Sequence, residues 1–116
     1  MRVPPIGNFL AVIGNERSQG MVSAFRRVIE SYVIHLPCVC LLTPGNGEEV
    51  PDMRRSDHAP FWDAGYQAIM LTDTAEYRSP HYHQPSDRLE TLNMRFAADV
   101  CRAAAGLICE MARIIE

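Results

Sequence analysis

The residues best suited to chemistry crowd into residues 54–92 of the 116-residue sequence. This stretch contains three of the four histidines, His58, His81 and His83, together with the only tryptophan and several carboxylates. Imidazole and carboxylate side chains are ligands that suit zinc. Histidine beside Asp could also activate a serine nucleophile. The same residues could instead form a polar loop with no chemical role.

A serine nucleophile is the weakest of these three interpretations. Ser56 and Ser86 are the candidates, but neither stands in a strand–turn–helix elbow with flanking glycines. A metal site would fit His83 as a ligand, with Asp87 as a nearby carboxylate that fixes its tautomer. Zinc needs at least three protein ligands, however, and loop histidines are often only polar surface groups or helix caps. Spacing alone leaves the metal site and the polar loop evenly balanced.

Hydrophobic patterns on both sides of these residues predict the elements that position them. Short apolar runs predict strands at residues 8–15, 37–43 and 66–73. Helical spacing predicts helices after Ser18, Ser56 and Asn93, each of which is a suitable N-cap. Strands that alternate with helices are typical of a parallel sheet. The sequence therefore predicts one α/β domain, a partial three-layer sandwich with a mostly parallel sheet.

Loops that follow parallel strands open at the same end of a sheet, where ligands bind. The loop with Asp57 and His58 follows the second predicted strand, and the loop with Tyr77, Tyr82 and His83 follows the third. If the strands are parallel, both loops line one crevice. We therefore expect these five side chains to lie within reach of one another.

Composition excludes two classes of function. The net charge is -3, and no basic run extends beyond Arg-Arg pairs, so the chain has no electrostatic footprint for nucleic acid. No run of 18 apolar residues occurs, so no membrane segment is predicted in this chain. Cys38 and Cys40 alternate along the second strand and should share one face of it. Without a Cys-x-x-Cys pair, the cysteines are predicted to be free, buried thiols.

The stretch RRSDHAPFWDAGYQAIMLTDTAEYRSPHYHQPSDRLETL resembles the C-terminal motif region of the co-catalytic two-zinc aminopeptidases, the twenty-eighth metallopeptidase family. The resemblance rests on a Ser-Asp-His turn followed by Pro-Phe and a Gly, then a strand, then Tyr-His-x-x-x-Asp. PPIGNFLAVIGN and the helix after it are similar to the segment ahead of that region. The resemblance covers nearly the whole chain and extends to bacterial leucyl aminopeptidases, glutamate carboxypeptidase and glutaminyl cyclases.

The resemblance implies a role for each matching residue. His83 corresponds to the last zinc ligand, and Tyr82 to a tyrosine that donates a hydrogen bond to the tetrahedral oxyanion. A neutral, rigid phenol suits that role. Asp57 and His58 match the Ser-Asp-His turn and would support the site without binding metal. In the same way, Asp87 would order the ligand loop, while Tyr77 and Arg78 could line the substrate pocket.

The sequence also departs from the family pattern. The family's early His-x-Asp, its Asn-Asp turn and its Glu-Glu pair with the general base have no counterpart here. Glu48 and Glu49 stand in a glycine-rich loop after the wrong strand to be that pair. The resemblance therefore implies that residues 1–116 are the C-terminal part of a zinc peptidase catalytic domain, with the N-terminal part absent. Zinc binding and peptidase activity by this chain alone are not expected.

Two alternatives remain open beside a zinc peptidase acting on peptide substrates. The chain could be a free-standing, non-catalytic remnant or a binding and assembly module. Missing strands would then leave a sheet edge exposed, through which the chain could self-associate. A lesser alternative is glutaminyl cyclase-like chemistry on the same scaffold. The HYHQPSD loop resembles the peptidases more closely.

Overall fold

The computed structural model describes residues 9–74 and 79–113. Three strands, β1 (Leu10–Asn15), β2 (Cys38–Thr43) and β3 (Ile69–Thr72), alternate with three helices, α1 (Gln19–Tyr32), α2 (His58–Asp63) and α3 (Met94–Met111). Single 3-10 turns lie at Glu16–Ser18, Pro51–Arg54 and Leu89–Thr91. The predicted mixed α/β composition and the order of the elements are confirmed.

The three strands form one sheet in the order β2-β1-β3. β1 and β2 are parallel, from Leu10 beside Cys38 to Asn15 beside Thr43. β1 and β3 are antiparallel, and Ala11 pairs with Thr72. The sheet is therefore mixed, and the expected mostly parallel sheet is not confirmed.

The short helix α2 explains the direction of β3. A parallel β3 would require the chain to return along the full length of the sheet before it re-entered. A six-residue helix spans only about 9 Å, whereas a six-residue strand is about 20 Å long. The chain instead re-enters at the carboxyl end of β1, where Gly14 pairs with Ile69. Apolar alternation is the same in both strand directions, so the sequence pattern could not distinguish them.

The core lies between one face of the sheet and the helices α1 and α3. Its buried members are supplied by all three of these elements: Leu10 and Val12 of β1, Phe25 and Ile29 of α1, and Ala103 and Leu107 of α3. Burial of such side chains is the main favourable term in folding. A second helix layer on the opposite face, as a three-layer sandwich requires, is not confirmed.

Polar contacts join α3 to α1 and to the segment after α1, and one of them is the 2.9 Å ion pair between Arg27 and Glu110. Asp99 of α3 is buried, and its carboxylate accepts hydrogen bonds from His35 and Arg102, each at 2.9 Å. Asn93 caps α3, as predicted, because its side-chain oxygen accepts from the Phe96 amide at 3.0 Å.

Within the described residues, the outer edges of β2 and β3 pair with no further strand. No helix in that part of the chain is long and apolar enough to cross a membrane.

Candidate functional site

The loop between β3 and α3 presents Tyr82 and His83 on consecutive tight turns. The amide of Gln84 donates to the carbonyl of His81 at 2.9 Å, and the amide of Asp87 donates to the carbonyl of Gln84 at 3.0 Å. The ring of His81 contacts the Ser86 hydroxyl through Nδ1 at 2.9 Å. These local hydrogen bonds define the loop between Pro80 and Arg88 without a helix or a strand.

His83 has the geometry of an available ligand. Its backbone φ is 55°, in the left-handed region that non-glycine residues rarely occupy. Its imidazole is exposed and lies 3.9 Å from the Tyr82 ring, with 16° between the two planes. Within the described residues the His83 ring makes this stacking contact and no hydrogen bond or ion pair. Both ring nitrogens are therefore free to bind a metal ion or a ligand.

Asp87 lies four residues after His83 and is exposed. Its amide takes part in the turn at Gln84, but its carboxylate makes no hydrogen bond to His83 among the described residues. The proposed ordering role of Asp87 therefore rests on the backbone turn. Tyr77 and Arg78, the predicted pocket residues, lie outside the described residues.

His58 is buried and holds the loop before α2. Its Nε2 lies 2.5 Å from the carbonyl oxygen of Met53, so this nitrogen carries the proton and donates. The ring also meets Trp62 edge to face, with centroids 4.5 Å apart. Its Nδ1 is buried without a hydrogen-bond partner in the described residues. Buried side-chain nitrogens usually have a hydrogen-bond partner, so this one is unusual.

Asp57 occupies the N-cap position of α2, one residue later than the Ser56 predicted from the sequence. Its side chain makes no capping hydrogen bond and is exposed. The predicted stop at Gly65 is confirmed by a φ of 86°. Asp57 thus marks the start of the helix, while the next residue, His58, points into the protein.

A polar chain that the sequence did not reveal ties α2 to the rest of the sheet. The indole Nε1 of Trp62 donates to the carbonyl of Ala68 at 2.7 Å. The amide of Ala68 donates to the Ser18 hydroxyl at 2.9 Å. Ser18 was predicted as an N-cap, and it does precede α1, but its side chain holds the start of β3 instead. The Asn15 side chain accepts from the Ser18 amide at 3.0 Å.

The loop after β2 is held by a second polar cluster. The guanidinium of Arg54 binds both oxygens of Asp63, at 2.8 and 2.6 Å, and the carbonyl of Asn46 at 2.7 Å. The hydrogen bond from Arg54 holds the pKa of Asp63 below its usual value. Glu48 accepts from the Asn46 amide at 2.9 Å. Backbone hydrogen bonds lower the pKa of Glu48, and its carboxylate therefore stabilises the loop in which it lies.

The directions of the strands do not bring the two motif loops to one end of the sheet, where the single crevice was expected. The loop with Asp57 and His58 follows β2, whose end at Thr43 lies beside Asn15. The loop with Tyr82 and His83 follows β3, whose end at Thr72 lies beside Ala11. The two loops therefore leave from opposite ends of the sheet. The expectation of a shared end was wrong because β3 is antiparallel to β1.

The described residues do not form a complete zinc site. Residues 9–74 and 79–113 contain no group of three or more His, Cys, Asp or Glu side chains placed to hold a metal ion. Catalytic zinc needs three protein ligands, and His83 can supply one. The donor set of the described residues therefore does not fit zinc by itself, and no reaction step through the metal follows from these residues alone.

Comparisons with known proteins agree with the motif pattern. The model of peptidase family M28 matches residues 10–108. The uncharacterized protein YfbL of Escherichia coli (strain K12) is 35% identical over 99 residues, which are 84% of this chain and 29% of that relative. The chain therefore spans less than a third of the length of this curated relative. No solved structure gives a significant match.

Proposed function

The chain belongs to peptidase family M28, and from that premise we propose that it is the C-terminal part of the catalytic domain of a zinc-dependent aminopeptidase. Family membership supports a metallopeptidase-type function. The observation that carries the finer proposal is His83, an exposed imidazole stacked on Tyr82 and held in a strained left-handed turn. Strained backbone of this kind clusters at binding and catalytic sites.

In this proposal His83 and Tyr82 have different roles. His83 is one ligand of the metal site, and the Tyr82 hydroxyl donates a hydrogen bond to the oxygen on which negative charge develops. His83, together with ligands outside this chain, would hold zinc, which would polarise the scissile carbonyl and lower the pKa of a bound water. The stacking at 3.9 Å keeps the phenol beside the imidazole. Donor and ligand are thereby fixed together before substrate binds.

The remaining ligands and the general base are proposed to lie outside residues 1–116. The match to a relative of which this chain covers only 29% supports this division. Peptides with a free N-terminus are the proposed substrates of the complete enzyme. A single imidazole cannot hold catalytic zinc against water, so the 116-residue chain alone should be inactive.

A non-catalytic binding or assembly module is the second candidate. The observation in its favour is that both outer strands have unpaired edges within the described residues, while Val39 and Leu42 of β2 are 43% and 46% exposed. An apolar edge strand is a template for pairing with another chain. Self-association of the isolated chain through β2 is therefore part of this proposal.

The test uses the full-length native protein, which is purified through a tag added to its chromosomal gene. We expect chelator-sensitive release of the chromophore from an aminoacyl anilide. The His83→Ala variant should lose at least about 100-fold in activity together with bound zinc. The Tyr82→Phe variant, which keeps the stacking ring, should keep its zinc and lose about 100-fold or more in kcat.

His81→Ala is the matched control because this histidine lies on the same loop and bonds Ser86. We expect it to keep zinc and to remain within a few-fold of the unaltered protein. If His83→Ala retained both zinc and activity, His83 would not be a ligand. If the unaltered protein hydrolysed no aminoacyl anilide with zinc supplied, the peptidase proposal would give way to the binding module.

A further inference from the structure

Cys38 and Cys40 form a close thiol pair on the edge strand β2. Their sulfur atoms are 3.9 Å apart, and both side chains are half-buried and pack against the core beneath α1. The alternation of β2 explains why both lie on one face, as the sequence predicted. Neither thiol belongs to the loops that carry the peptidase motif.

A disulfide fits this strand poorly. Cα atoms two residues apart along a strand are separated by about 6.6 Å, close to the upper limit of about 6.8 Å for a disulfide. β2 cannot shorten to relieve this, because Cys38 and Cys40 are paired in register with Leu10 and Val12 of β1. The two sulfurs are thus close but unfavourably placed to bond directly.

A single soft metal ion between the sulfurs fits where a disulfide does not. Two metal–thiolate bonds of about 2.3 Å place their sulfurs about 3.8 Å apart at a tetrahedral angle and about 4.6 Å apart at a linear one. The observed 3.9 Å lies within this range. Small rotations of the two side chains cover the rest without moving the backbone.

The surroundings of the pair favour an ion that needs only two ligands. The described residues provide no third His, Cys, Asp or Glu to complete a group around Cys38 and Cys40, so zinc is poorly served. Arg26 of α1 lies beside Cys40, and this contact raises the pKa of the Arg26 guanidinium. A permanent positive charge stabilises an anionic bis-thiolate complex. Soft thiolates favour Cu(I), zinc and iron–sulfur clusters, and structural zinc and the clusters use four protein ligands.

We propose that Cys38 and Cys40 form a two-coordinate binding site for a soft monovalent metal ion, of which Cu(I) is the representative. Both S–H bonds break, two S–Cu bonds form, and two protons pass to water. The complex carries one negative charge, which Arg26 faces. No electron is transferred, so the step needs neither an oxidant nor a reductant.

The experiment measures copper in the purified, reduced full-length native protein after anaerobic incubation with Cu(I) and removal of excess ion by a competing chelator. The Cys101→Ser/Cys109→Ser double variant leaves only the β2 pair among residues 1–116. We expect it to retain about one copper per chain. Because this variant keeps both β2 thiols, absence of copper from it would overturn the proposal.

Cys38→Ser and Cys40→Ser each remove one ligand, and each should reduce retained copper from about one to near zero per chain. Circular dichroism of each variant checks that the fold is kept. Copper retained at one per chain in both single variants would place the ion elsewhere and contradict the proposal. Iodoacetamide in excess should label Cys101, which is exposed, well before Cys38.

Discussion

At the scale of single residues, the Arg54–Asp63 pair shows how the loop before α2 depends on charge. The fork of two hydrogen bonds lowers the pKa of Asp63. A carboxyl group whose pKa is lower in the folded than in the unfolded state stabilises the fold above its unfolded pKa. That contribution is lost as the pH falls through the folded-state pKa. Asp63 should therefore contribute near neutrality and not in strong acid.

We expect Asp63→Asn to weaken the dependence of stability on acid. For the unaltered protein, the urea concentration at the unfolding midpoint should decrease as the pH is lowered from about 6 to about 2. For the variant it should decrease less. Because the Asp63 side chain is 53% exposed, the difference should be small. Asp57→Asn is the matched control, since Asp57 is exposed and its side chain makes no capping bond. Equal acid profiles for Asp63→Asn and the unaltered protein would contradict the prediction.

Residue types predicted the candidate site better than they predicted the contacts within it. Tyr82, His83 and Asp87 could be chosen from the motif, and their roles stay predictions. The bond from His58 to Met53 could not be foreseen, because a 3-10 turn at Pro51–Arg54 brings that carbonyl to the ring. The long-range bond from Ala68 to Ser18 equally depends on the direction of β3.

At the scale of elements, the close crossing of α1 and α3 depends on a glycine. A Cβ added to Gly106 would lie 2.6 Å from a methyl carbon of Val28, which is fully buried. Gly20, also in a helix, has no neighbour within 4 Å of such a Cβ. The same substitution at the two positions should therefore have opposite effects on stability.

We expect Gly106→Ala to destabilise the protein by about 1–3 kcal/mol through overpacking against Val28. Gly20→Ala should stabilise it by about 0.5 kcal/mol, since alanine loses less backbone entropy on folding. Urea denaturation of both variants measures the two free energies of unfolding. A Gly106→Ala variant as stable as Gly20→Ala would mean that the helices are farther apart than the structure shows.

The elements themselves were largely predictable because each depends on local sequence. Periodic apolar residues gave the three strands and three helices, and the Asn93 cap was correct because capping involves residues only three apart. Strand direction was not predictable, because it depends on how residues 44–68 cross the sheet. That one error also misplaced the two motif loops relative to each other.

At the scale of the whole molecule, we propose that one active site is divided between this chain and residues outside it. The M28 match covers residues 10–108, yet the described residues contain no complete metal site. Within residues 9–74 and 79–113, the outer edges of β2 and β3 are unpaired, which is consistent with strands supplied from elsewhere. We therefore expect residues 1–116 to function as a portion of a longer polypeptide.

The intact mass of the native protein tests this central claim most directly. It would be captured from its source cells with an antibody against residues 79–92 and measured by mass spectrometry. We expect a mass about three times the 13.0 kDa of this chain, because the matched relative is about three times as long. A mass of 13.0 kDa would contradict it, since His83 would then have no further ligands in its own polypeptide.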